Sequence, residues 1–80
     1  MVETRIAPRF RVSKAATIEF IGGSPINCVV RNLSVTGAAV ELPDLCGIPD
    51  SFELVMPDDG LRLACRIVRR AGYMVGVSFD

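Results

Sequence analysis

The chain contains no histidine and no tryptophan. The first absence removes the commonest general base for proton transfer near neutral pH. The second, with only four phenylalanines and one tyrosine, leaves few platforms on which successive nucleic-acid bases could stack. Net charge is also missing: nine basic residues are balanced by nine acidic ones, which excludes a general polyanion binder. No apolar run is long enough to span a bilayer, and the start Met1–Arg5 has no apolar signal core. The expectation is a soluble, cytoplasmic protein with no membrane insertion. The cysteines, Cys28, Cys46 and Cys65, are odd in number and form no CxxC or Cys/His spacing. Neither a disulfide framework nor a zinc site is indicated, and no metal is expected. Cys28 and Cys65 lie in apolar runs, where cysteine serves as a small hydrophobe. Also lacking are internal repeats, low-complexity segments and any apolar pattern of 3.6-residue period and helical length.

What is present is a chain of 80 residues, half of them hydrophobic, enough for one domain with a modest core. Glycine and proline punctuate it at the short spacings of an all-β protein. Six strands are predicted. The first runs from Val12 to Ile21, with Lys14, Ala16, Ile18 and Phe20 on one face, and ends at the turn Gly22-Gly23-Ser24-Pro25. Ile26 to Leu33 is the second, with Cys28 and Val30 inward. Gly37 to Leu42 is the third, followed by a loop from Pro43 to Pro49. Phe52, Leu54 and Met56 alternate in the fourth, and Pro57-Asp58-Asp59-Gly60 is the clearest turn, with proline presetting one dihedral and glycine accepting positive φ. Leu61, Leu63, Cys65 and Ile67 alternate in the fifth, Arg69-Arg70-Ala71-Gly72 turns the chain, and Tyr73, Val75, Val77 and Phe79 close it. The pattern implies a small six-stranded antiparallel barrel over residues 12–80, preceded by a flexible arm over residues 1–11. A barrel is favoured over a sandwich because closure removes sheet edges from a short chain.

Nothing in the sequence builds a catalytic constellation. Ser34 stands in no nucleophile elbow and has no candidate base, and the Asp58-Asp59 pair belongs to a turn. An enzyme is not expected. The informative feature is uneven charge. Residues 1–14 carry Arg5, Arg9, Arg11 and Lys14 against Glu3, while residues 41–59 carry six acids and no base. Arg5 and Arg9, four residues apart, offer forks of donors suited to phosphate oxygens or a guanine edge, and planes that stack on a base. Alone, they read equally as a solvated tail. Asn32, Ser34 and Gly37 follow at the end of a strand, where Asn and Ser commonly satisfy turn backbone groups and glycine allows close approach. The two segments together suggest a site for an anionic planar ligand, a nucleotide.

Arg5-x-x-x-Arg9 followed by Asn32-x-Ser34-x-x-Gly37 resembles the two-part signature of the PilZ domain family, RxxxR and (D/N)xSxxG. Pro8-Arg9-Phe10 leading into the first strand and Val75-Gly76-Val77-Ser78-Phe79 closing the last are also similar, so the resemblance covers essentially the whole chain. It implies a six-stranded antiparallel barrel that binds the bacterial second messenger cyclic di-GMP and signals to a downstream protein target. In that picture Arg5 and Arg9 grip phosphate and guanine, Asn32 and Ser34 hydrogen-bond the ligand, and Gly37 keeps the backbone clear. Three positions depart from the family pattern. Asn32 stands where aspartate is usual. Thr4 stands where relatives holding an intercalated ligand pair carry arginine. The chain stops at Asp80, where many relatives continue into a C-terminal helix, so little or no such helix is expected.

Two other readings compete. One is a PilZ-like barrel that binds no nucleotide and works through protein contacts. The other is a nucleic-acid-binding barrel using Arg62, Arg66 and Arg70 as a basic stripe along the fifth strand. The second is disfavoured because Phe10, Phe20, Phe52, Phe79 and Tyr73 are needed mostly for packing.

Overall fold

A computed structural model describes residues 8–44 and 47–80. Its strands are β1 (Phe10–Glu19), β2 (Ile26–Leu33), β3 (Gly37–Glu41), β4 (Ser51–Met56), β5 (Leu61–Ala71) and β6 (Met74–Phe79). They close into an antiparallel barrel in the order β1-β2-β3-β6-β5-β4, with β4 returning to β1. The expected architecture is therefore the observed one. A single 3₁₀ turn at Pro57–Asp59 is the one helical element among the described residues. There Gly60 takes φ 65° and donates its N–H to the Pro57 carbonyl at 3.1 Å, a left-handed position that glycine fills without steric cost.

Period-2 alternation decides which side chains point inward. Along β4, Phe52, Leu54 and Met56 are buried while Glu53 and Val55 face outward. Ile18, Val30, Val40, Leu54 and Met56 are fully buried at the centre of the core, and no polar or charged residue is buried with them among the described residues. Burial pushes the Cys28 and Cys65 thiols up to about 11, so both are protonated near neutral pH and pack as small apolar groups. Cys46 and the arm as far as Ala7 lie outside the described residues.

Several boundaries differ from the sequence expectation. β1 starts at Phe10, not Val12, because Phe10 and Arg11 pair with Leu33 and Asn32. β5 runs on to Ala71, so Arg69 and Arg70 are strand residues and not a turn. Only Gly72 and Tyr73 separate Ala71 from its partner Met74. Gly72 at φ 59° suits the first position of a tight two-residue hairpin. The aromatic residues also divide. Phe52 is buried, but Phe10 at 62% and Tyr73 at 51% exposure are not packing residues. Phe10 sits at the start of its strand and Tyr73 at a hairpin tip, where the barrel wall ends. Leu61, expected inward, is exposed for the same reason at the mouth of β5.

Register shifts mark three places where one strand carries an extra residue: between Arg11 and Lys14 in β1, between Val30 and Asn32 in β2, and between Ile67 and Arg69 in β5. Each is a β-bulge, which bends the strand and re-aims the side chains beyond it.

Truncating Leu54 to alanine leaves a void at the barrel centre. The expected loss is about 2–5 kcal/mol, measured by urea denaturation of the variant against the parent.

Candidate functional site

The bulges decide where the polar residues of the expected site point. In β2, Arg31 is the extra residue, so Val30 pairs with Val40 and Asn32 pairs with Ala39. Val40 is buried and Ala38 packs on the core, which puts Ala39 and its partner Asn32 on the outer face. In β5, Val68 is the extra residue: Ile67 pairs with Val77, Arg69 with Gly76 and Arg70 with Val75. Val75 and Val77 are buried, so Gly76 and Arg69 face outward. Because Ala39 also pairs with Gly76 and Arg11 with Asn32, one row of partners crosses five strands: Arg11, Asn32, Ala39, Gly76, Arg69. Cations stand at both ends and small residues in the middle.

A groove of about 450 Å³ lies over this row, lined by Arg9, Asn32, Ala39, Val68, Arg69 and Gly76 among others, with no acidic residue in its lining. The volume falls within the roughly 300–1,000 Å³ of small-molecule sites. Its cations are also uncommitted. Arg31 bonds Glu41 at 2.7 Å, Arg62 bonds Glu19 at 2.9 Å and Glu53 at 2.6 Å, Arg66 lies 3.9 Å from Asp80, and Arg70 bonds Asp50 at 3.2 Å. Arg9, Arg11 and Arg69 have no such partner among the described residues, and neither does the side chain of Asn32. The groove is thus a locally positive surface on a chain of zero formal charge.

The expected site residues divide into two groups. Arg9 and Asn32 come together in the groove. Ser34 and Gly37 do not line it; they hold the β2–β3 turn. Ser34 Oγ accepts from the Thr36 and Gly37 backbone N–H groups, both at 3.2 Å, and lies 3.3 Å from the Gly37 carbonyl as its donor. The Ser34 N–H donates to the same carbonyl at 2.9 Å. The Thr36 hydroxyl oxygen also lies 3.2 Å away, so all the hydrogen-bond contacts of the Ser34 hydroxyl are made within its own turn. Gly37 is required by a close approach: a Cβ there would collide with the Val77 carbonyl oxygen of β6. Arg5 lies outside the described residues. Sequence reasoning missed Arg69, which the expected turn at residues 69–72 removed from any face. The available signal was Val68, an apolar residue out of phase with Leu63, Cys65 and Ile67, and 63% exposed.

The basic stripe on β5 is not observed. The bulge sends Arg70 to the opposite face from Arg62 and Arg66, where it donates to the Ile48 carbonyl at 3.1 Å, and all three are ion-paired. The bonds to Glu53, then Glu19, also push the Arg62 pKa up. A larger hollow of about 680 Å³, around Phe20, Ile21, Pro49 and Phe52, has two acids on its rim and no basic residue in its lining. It does not suit an anion. No group of three or more His, Cys, Asp or Glu residues among the described residues could hold a metal ion.

The PilZ domain family model matches residues 3–80. This chain belongs to the PilZ domain family. PilZ domains are in general adaptors that bind cyclic di-GMP, and they are binding domains rather than enzymes. A search of curated proteins gives no match to the chain. No helix among the described residues is long and apolar enough to cross a membrane.

Two glycine substitutions separate the turn from the groove. Gly37→Ala is expected to destabilise the protein by about 1–3 kcal/mol, because backbone must move. Gly76→Ala, whose Cβ meets the Arg69 Cβ at an ordinary 3.7 Å, is expected to stay within about 0.5 kcal/mol of the parent. Thermal melts of the two variants check this.

Proposed function

We propose that this PilZ domain binds cyclic di-GMP in the groove over Asn32, Ala39 and Gly76 and passes the signal to a downstream protein. The observation that carries the reading is the meeting of Arg9 and Asn32, from the two halves of the family signature, in one groove that contains no acid. Arg9 and, ahead of it in the sequence, Arg5 hold phosphate oxygens or a guanine edge and lay a guanidinium plane on the base. Asn32 reads the base edge with one donor group and one acceptor, where aspartate would only accept. Ser34 and Gly37 serve the ligand indirectly, by fixing the turn that carries Asn32. Ligand fixes the arginine segment over the barrel and so changes the surface that a target meets. A charge-assisted hydrogen bond contributes roughly 1.5–3 kcal/mol, so Arg5 and Arg9 alone fall somewhat short of the about 8 kcal/mol of micromolar binding.

Calorimetric titration with cyclic di-GMP at two salt concentrations is expected to give heat at tens of micromolar, weaker at the higher salt. Arg9→Ala is expected to lose at least about tenfold in affinity with the melting temperature of the free protein unchanged. A large fall in melting temperature would make Arg9 structural, and no heat for the parent would leave a barrel that works through protein contacts alone.

A further inference from the structure

We infer that Arg69 is a third ligand-contacting guanidinium, holding the half of a cyclic dinucleotide that faces away from Arg9. The inference rests on the nucleotide reading above and extends the site beyond the family signature to β5. Its first support is register. Asn32, Ala39, Gly76 and Arg69 are successive cross-strand partners, so Arg69 lies across the groove from Asn32 at three strand spacings, roughly 14 Å along the wall. Its second support is the bulge at Val68. Without that extra residue in the ladder, Gly76 would face Val68, and Arg69 would take the inward register next to Val75. With it, Arg69 and Arg70 are dealt to opposite faces. Arg70 is consumed in tying down Ile48 and Asp50 at the barrel end, whereas Arg69 is left without an acidic partner among the described residues.

The ligand chemistry fits a site with cations on both rims. A cyclic dinucleotide carries two phosphodiesters and two bases on opposite sides of one macrocycle. A groove charged at one rim would engage one half and leave the other phosphate in solvent. Arg9 on one side and Arg69 on the other give each half a guanidinium, over a floor kept low by Ala39 and Gly76. Val68, exposed beside Arg69, offers an apolar edge to a ring.

The test is calorimetry with cyclic di-GMP on the parent and on Arg69→Ala, Arg66→Ala and Gly76→Leu. Arg66 shares the outer face of β5 but is not among the groove residues and lies near Asp80. Arg69→Ala is expected to weaken binding at least about tenfold, and Arg66→Ala to stay within about twofold of the parent. Gly76→Leu is expected to weaken binding by filling the floor; a Cβ there meets only ordinary contacts at 3.7 and 3.9 Å, and the melting temperature of the free variant checks that the longer side chain leaves the fold intact. Melting temperatures of the free variants should match the parent. Parent-like binding by Arg69→Ala, or an equal loss in Arg66→Ala, overturns the role of Arg69 while the nucleotide reading stands. Absence of binding by the parent itself overturns both.

Discussion

The barrel depends on two seams. Strands β1 to β3 form one meander and β4 to β6 another, and each pairs internally with its sequence neighbours. What joins them is the pairing of β3 with β6 on one side and of β1 with β4 on the other. At the second seam Ile18 faces Leu54, both fully buried, so the same contact that closes the wall also fills the centre. At the first, Gly37 lies against the Val77 carbonyl with no room for a side chain. Neither meander alone could bury its apolar face, and a short chain gains disproportionately from closing on itself.

The groove is a product of the first seam. Its floor residues Ala39 and Gly76 come one from each meander and meet only where β3 pairs with β6. Asn32 and Arg69 approach from the strands beyond, each placed by a bulge in its own strand. Local sequence thus makes the parts, tertiary pairing assembles them, and the irregularities in the ladders choose which side chains face out. The uneven pairing of the arginines completes the arrangement. Exposed ion pairs contribute little stability, but by occupying Lys14, Arg31, Arg62, Arg66 and Arg70 they confine uncommitted positive charge to Arg9, Arg11 and Arg69 among the described residues.

Much of this was legible beforehand where a residue's role is local. The alternation of Phe52, Leu54 and Met56, the Pro57–Gly60 turn and the inward pair Cys28 and Val30 follow from backbone geometry and solvation alone. Roles set by pairing were not legible. Two consecutive arginines before Ala71 and Gly72 look like a polar turn, and only the Val75 and Gly76 partners across the ladder reveal a strand. Phe10 and Tyr73 looked like core because aromatic residues usually are, yet both fall where the wall ends. Within the signature, composition could not tell that Asn32 faces the groove while the Ser34 hydroxyl is consumed by its own turn. That distinction depends on hydrogen bonds three residues away in the chain.

Closure has a further consequence for recognition. It is uneven along the strands: β1 pairs with β4 only at Thr17, Ile18 and Glu19, and β5 pairs with β4 only from Leu61 to Arg66, so among the described residues Phe10 to Ala16 and Ile67 to Ala71 have a ladder partner on one side alone. Where a strand is paired on both sides, a second polypeptide cannot join the wall by strand addition. Over that part of the wall a partner must read side chains and turns, such as the exposed Ile21 and Tyr73, and its specificity resides in surface chemistry rather than in backbone complementarity.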